Sequence, residues 1–301
     1  MKKWILLFVV VVLLLASCKH THEFTDGYYF QAMGEDSEIV VTVDTQKARE
    51  VRPSILGVND SLLNSILEKS SRISVSLSKD EYLEDDPYPA DIASMDISGA
   101  IEGEYSKFMI NTGLGFSKEF SKVKEDGVKF YSNEGRTIEL GSPTNGVILF
   151  SNDSYAELYD TTIKNRVIKI SDEKAKLLGE SVMGLYVRSP QTMISLGFDL
   201  PYTVIIQMSD AVIYVIENEG VFYLYADITM KSPSLAKTLN TLLRNQVVAE
   251  LKRLGEKPDF KALALQYYTE DDKVMIRDRV MSESELAAFE LQIKAASGSL
   301  I

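Results

Sequence analysis

The sequence predicts an α+β fold: mainly antiparallel sheets with helices packed on one face, arranged as two related split-βαβ-like lobes. Three observations carry this expectation. Strand signals come in runs, with helical periods between the runs. Glycine-containing turns join neighbouring strand signals, as antiparallel hairpins require. The order strand, helix, several strands, helix, strand, helix recurs broadly in each half. A single continuous sheet with helices on one side is the alternative arrangement.

In the first half, Tyr28-Tyr29-Phe30 reads as a short strand and Glu38 to Asp44 as a β-branched one. Leu62, Leu63, Ile66 and Leu67 recur at the helical period, so a helix is expected over 61–69, capped by Asn59, Asp60 or Ser61. Arg72 to Ser78 alternates polar and apolar residues, the mark of a half-buried strand. The acidic, proline-containing stretch from Glu81 to Asp91 reads as a solvated loop, and it lacks the spacing of a calcium loop. A strand is expected over 97–105 and a helix over 107–115, with Phe116 to Val123 extending that helix beyond a break. Val128 to Tyr131 and Thr137 to Leu140 flank a hairpin loop containing Gly135. A turn at 142–146 leads to a strand over 147–150, and Ser154 with Glu157 forms a capping box for a helix to about Thr162.

The second half opens with a helix over 172–180 and a strand over 183–187. Pro190 can start a short helix through Leu196. Strands are expected over 202–208, 211–216 and 221–230, the last two joined by a turn containing Asn218, Glu219 and Gly220. Ser232 caps and Pro233 opens the longest helix, whose stripe of Leu235, Leu239, Leu242, Val247, Leu251 and Leu254 ends at Gly255. That stripe reads as a core face rather than a partner-binding one. A helix over 259–268, a strand over 273–280 and a last helix capped by Ser282 and Glu285 complete the chain, with Leu286, Phe289 and Ile293 on one face of that helix. Among Phe222, Tyr223, Leu224 and Tyr225, one set of alternate residues belongs to the core and the other to a covered face or an exposed binding patch.

Residue usage narrows the chemistry. Both histidines, His20 and His22, and the single cysteine, Cys18, lie at the N-terminal end, so imidazole and thiol catalysis and ordinary zinc sites are excluded from the body. Two imidazoles on a tether make a poor metal site, so no metal and no cofactor is expected. No phosphate-binding glycine loop is present, because Asn111 to Gly115 lacks the third glycine and a preceding strand. Ser171 with Lys174 has Ser-Lys spacing, but helix capping explains the serine. The formal charge of −12 opposes nucleic acid and anionic lipid surfaces, and no local basic patch stands out.

The N-terminal end carries the sharpest signal. Lys2 and Lys3 precede an apolar run from Trp4 to Ala16, shorter than the roughly 20 residues a spanning helix needs. The run ends in Leu15-Ala16-Ser17-Cys18, which resembles the lipobox of bacterial lipoproteins. That resemblance covers residues 1–18 and implies cleavage between Ser17 and Cys18 once the Cys18 thiol carries a diacylglycerol. The freed Cys18 amine is open to a further acyl chain, and two or three chains exceed the marginal anchoring of one. Lys19 is not the aspartate that retains such proteins in the inner membrane, so the resemblance implies the outer membrane of a bacterial cell envelope. The expected organisation is a signal peptide at 1–17, a lipidated tether at 18–37, an N-terminal lobe at 38–170 and a C-terminal lobe at 171–301. The expected function is a membrane-anchored, non-enzymatic binding or interaction module with an envelope protein partner and no nucleic-acid partner. Its alternatives are a solute- or lipid-binding lipoprotein with a site between the lobes, and a carboxylate-based hydrolase.

Overall fold

The computed structural model describes residues 28–33, 39–51, 66–78, 95–188, 201–283 and 285–287. The lipobox, His20, His22, the acidic loop at 81–91, the helix expected from Pro190, and Phe289 with Ile293 lie outside these residues.

A 3-10 turn, Tyr29–Ala32, precedes β1 (Ile39–Asp44) and α1 (Thr45–Val51). Residues 66–69 are helical and lead into β2 (Ser70–Ser78), followed by β3 (Asp96–Gly103) and α2 (Lys107–Phe116). A meander of β4 (Phe120–Glu125), β5 (Val128–Asn133), β6 (Glu139–Thr144) and β7 (Val147–Ser151) comes next. The helix α3 (Tyr155–Tyr159) continues as a π-helical turn, Asp160–Lys164, and α4 (Asp172–Glu180) enters β8 (Met183–Val187). The rest comprises α5 (Tyr202–Ile205), the hairpin β9 (Met208–Asn218) and β10 (Val221–Met230), α6 (Pro233–Arg253), α7 (Phe260–Gln266), β11 (Tyr267–Glu270) and β12 (Lys273–Val280).

All twelve strands join one sheet, in the order β11-β12-β10-β9-β8-β1-β2-β3-β7-β6-β5-β4, with antiparallel neighbours throughout. The α+β class with antiparallel pairing is therefore the observed one, and the continuous sheet replaces two separate sheets. The reason lies in β1. Its residues Ile39, Val40, Thr42 and Val43 are all buried, so apolar groups point to both faces. Such a strand belongs in the middle of a sheet rather than at an edge. It pairs with β2 through Ile39↔Leu77 and Val43↔Ile73, and with β8 through Ile39↔Val187 and Val43↔Met183.

Helices cover both faces rather than one. On the first face Ile39, Leu77, Leu185, Ile213 and Ile228 pack with Ala236 and Leu239 of α6 and Leu263 of α7. Of the expected stripe, Leu235, Leu239 and Val247 face this core, whereas Leu242 and Leu251 are half-buried and Leu254 is exposed. On the second face Val40, Ala100, Leu149, Tyr186 and Val212 pack under Phe30, Tyr155, Leu158 and Leu178. Three of the cap signals hold in geometry, since Ser154 Oγ accepts from Glu157 N, Ser232 Oγ from Leu235 N, and Ser282 and Glu285 bond reciprocally, whereas Ser171 makes no side-chain cap bond.

Three segments differ from their sequence patterns. Phe116 to Val123 does not extend α2, because Asp126 and Gly127, with φ of 48° and 83°, make a two-residue turn that pairs 120–125 with 128–133. Residues 202–205 are helical, with Val204 N and Ile205 N both donating to Pro201 O, so the strand begins at Met208. Tyr28 to Phe30 has no strand partner. Instead Gln31 N donates to Tyr28 O and Tyr28 N to Gln31 Oε1, closing the 3-10 turn.

Gly99 is a packing requirement. A Cβ there would sit 2.2 Å from Phe150 Cζ and 2.7 Å from the Ser74 carbonyl oxygen, so Phe150 lies across the bare backbone. Gly99→Ala is expected to cost about 1–3 kcal/mol by overpacking, read as a lower urea midpoint with unchanged slope.

Candidate functional site

The helix α2 is attached to the sheet by polar bonds. Ser106 is its N-cap and accepts from Met109 N at 3.4 Å. Lys107 donates from its backbone to Asn145 Oδ1 and from Nζ to Pro143 O, at 2.9 and 2.6 Å. Asn111 clamps Ser142 in both directions, its Nδ2 donating to the carbonyl and its Oδ1 accepting from the amide, at 2.9 and 3.0 Å. Ser117 N closes the other end onto Gly113 O and Leu114 O.

No residue of α2 is buried. Phe108 is 76% exposed, Met109 63% and Phe116 84%. An amphipathic helix ordinarily turns such residues into a core, and a contiguous exposed apolar patch marks an interaction surface. Between α2 and the β4–β5 ribbon lies an open groove of about 750 Å³, lined by Phe108, Asn111, Phe116, Lys122 and Tyr131 among others.

The ribbon supplies charge. Lys122 stands opposite Tyr131, and Lys124 directly opposite Lys129. These four alternate residues share the ribbon face that borders the groove. Like charges directly opposed across a pair of strands disfavour pairing. Between residues 107 and 131 five lysines outnumber three acidic residues, although the whole chain carries −12. The averaged charge hid this basic patch, and the lysines alternating on one strand face are the signal that could have found it.

A second polar cluster lies under the 3-10 turn. Arg72 of β2 is buried, its guanidinium 5.3 Å from the Tyr28 ring centroid. It donates to Thr42 Oγ1 at 2.9 Å and to Gly179 O, with Asp44 Oδ2 at 3.7 Å. Glu102 of β3, 3% exposed, stands opposite Arg72 in register and accepts from Tyr29 N at 3.4 Å. Burial pushes its carboxyl up to about 7, against opposing pulls from Arg72 and the Tyr29 amide.

The other sequence candidates fall as follows. Ser171 begins α4 without a side-chain cap bond, and Lys174 Nζ is 2.9 Å from Asp210, which also accepts from Thr229. Phe222 packs with Val215 and Leu286, so the core set contains Phe222, while Tyr223 is half-buried on the opposite face. Tyr225 on that face stacks with Tyr214 at 5.2 Å and donates to Asp278. The buried carboxylates Glu102 and Glu139 do not face each other as a hydrolytic pair: Glu139 is held by Arg136 and the Tyr155 amide, Glu102 by the Tyr29 amide. Among the described residues no cluster of metal-ligating side chains occurs and no helix is long and apolar enough to cross a membrane.

No protein-family model and no curated protein sequence matches the chain. Among solved structures, the fold is similar to that of TP0453, a Treponema protein, in three of its crystal forms. Form IV superposes with a TM-score of 0.56 at 12% identity, covering 89% of this chain and 97% of that one. Form I gives 0.55 at 11% identity, over 91% and 98%. At this identity the likeness is one of fold.

If the α2 aromatics serve no packing role, their removal leaves the fold intact. Phe108→Ser and Phe116→Ser are each expected to change unfolding free energy by less than about 0.5 kcal/mol, measured by urea denaturation.

Proposed function

We propose that this chain is a lipid-anchored protein of the bacterial cell envelope, a non-enzymatic binding module that lays the α2 surface on a membrane. The observation that carries the reading is the exposure of Phe108, Met109 and Phe116 on a helix without buried residues. The lipobox residues Leu15, Ala16, Ser17 and Cys18 supply the anchor, with a diacylglycerol thioether on Cys18. Lys19 in place of aspartate favours the outer membrane over the inner. A body tethered at Cys18 is always close to a bilayer, so a bilayer is the apolar phase its exposed aromatics meet first.

The chemistry fits that occupant. Aromatic and methionine side chains enter the interface between headgroups and acyl chains, and flanking lysines attract anionic headgroups. Lys124 and Lys129, opposed within the protein, would both gain from an anionic surface. The acidic remainder is repelled by the same surface, which orients the molecule with α2 towards it.

A second reading draws on the groove. At about 750 Å³ it falls in the range of small-molecule sites, and its apolar walls with Lys107 and Lys122 suit one anionic amphiphile. That site lies beside α2 at the β4 end of the sheet, rather than where the two halves meet at β1.

Two measurements test the proposal. The mature N-terminus should appear by mass spectrometry as an acylated Cys18; a chain starting at Met1, or an unmodified Cys18, ends the anchor claim. For the surface, the chain from Lys19 onward, lacking any lipid, should float with vesicles containing anionic phospholipid and less with neutral ones. Phe108→Ser with Phe116→Ser should lower that partitioning by about 10- to 100-fold, since each inserted aromatic contributes on the order of 1 kcal/mol or more. Equal flotation of the double variant would remove α2 from the contact.

A further inference from the structure

We infer that the 3-10 turn Tyr29–Ala32, with Tyr28 and Met33, is a proton-sensitive latch at the root of the tether, seated over Glu102 and released as that carboxyl ionises. The turn falls within the 18–37 stretch expected to be tether, yet it is the first described segment and is plugged into the second face of the sheet. Phe30 is 0%, Met33 1%, Ala32 2% and Gln31 4% exposed. Gln31 fastens it to the start of α4: its carbonyl accepts from Lys169 N and Ile170 N, and its Nε2 donates to Ile170 O and Asp172 Oδ1. Tyr28 stacks on Phe30 with centroids 5.1 Å apart and lies against Gly179, where a Cβ would come within 2.1 Å of the ring.

Beneath this plug the sheet presents a carboxyl instead of an apolar residue. The charged and titratable groups around Glu102 come from every element packed there. The strand β2 brings Arg72, β1 brings Asp44, and the turn brings Tyr28 and Tyr29. The segment after the π-helical turn brings Arg166, which acts on Tyr29, while α4 contributes the Gly179 carbonyl. Arg72 is shared among Thr42, Gly179 and Asp44, so it compensates an ionised Glu102 only in part. A neutral Glu102 lies under the turn without that electrostatic cost.

The direction follows from linkage. The docked carboxyl titrates near 7, and lifting the turn returns it towards its ordinary value of 4.5. A raised value in the docked state means docking is strongest below the ordinary value and weakens as pH rises through about 7. The latch itself does not depend on the proposed lipid; its consequence for reach does. Tyr28 lies ten residues beyond Cys18 and Ile39 twenty-one. At roughly 3.5 Å per residue, ten residues span at most about 35 Å and twenty-one at most about 70 Å, so release of the turn raises the upper limit on reach.

The test is hydrogen exchange by mass spectrometry on the full-length lipidated protein in detergent, from pH 5 to pH 8, with protection corrected for the intrinsic pH dependence. Protection over 28–33 should fall on the order of 100-fold across that range while β1 keeps its protection. Glu102→Gln should hold the turn protected and flat with pH. Gly179→Ala, which crowds Tyr28, should lower protection at every pH without removing the pH dependence. A flat wild-type profile, the same fall in Glu102→Gln, or an equal loss of protection in β1 overturns the latch. Vesicle flotation plays no part in these outcomes, so the α2 surface stands or falls separately.

Discussion

Everything else in this molecule depends on the double pairing of β1. Its six residues bond along both edges, to β2 on one side and β8 on the other. Six further strands lie beyond one edge and five beyond the other, so β1 is the seam of the whole sheet. The seam explains the helices. A strand with Ile39 on one face and Val40 on the other needs apolar cover on both, and the two core clusters supply it from different segments. It also explains why the 3-10 turn is buried, since the turn seals the second face over β2 and β3 just before the chain enters β1.

Cover is unevenly spent. Over the C-terminal half α6 lies on the first face with Leu235, Ala236, Leu239 and Leu243 turned inward. At the opposite end of the sheet α2 carries Phe108, Met109, Ile110, Leu114 and Phe116, half-buries Ile110 and Leu114, and fully buries none of them. Asn111 and Lys107 hold it by hydrogen bonds to Ser142 and Pro143, which frees the aromatics. A helix with Gly113 and Gly115 among its last four residues is also intrinsically weak. Such a helix is fixed in place from outside, by its bonds to β6 and the β6–β7 turn.

The local vocabulary of the fold was readable because it is short-range. The bounds of α4, β8, β10 and β12 coincide with those expected from their own residues. Pairing across the seam was not readable in that way: β1 and β8 are about 140 residues apart, and no local pattern encodes their register. The unbroken Ile39-Val40-Val41-Thr42-Val43 run did hold the clue, since a strand apolar on both faces must be central. Phe120 to Val123 forms strand rather than a helix extension because Asp126-Gly127 is a turn that dictates a hairpin. At the candidate site the residues of α2 were visible, but exposure is a tertiary property. A buried Glu102 was equally hidden, because its neighbours Ile97 and Ile101 belong to the other face.

The acidic composition and the basic ribbon act together rather than in conflict. Under the proposed anchor, a tether would hold the body at an effective concentration in the millimolar range, so a surface contact would need little affinity of its own. Two or three aromatics and a few lysines are then sufficient, provided that other faces do not compete. The net charge of −12 sets that condition: acidic faces are repelled by an anionic surface, and the α2–β4–β5 corner, where lysines exceed acids, is the part that is not. On that reading, specificity of orientation would come from repulsion over most of the surface as much as from attraction at the patch. The aromatics sit among lysines at the far end of the sheet, outside both core clusters.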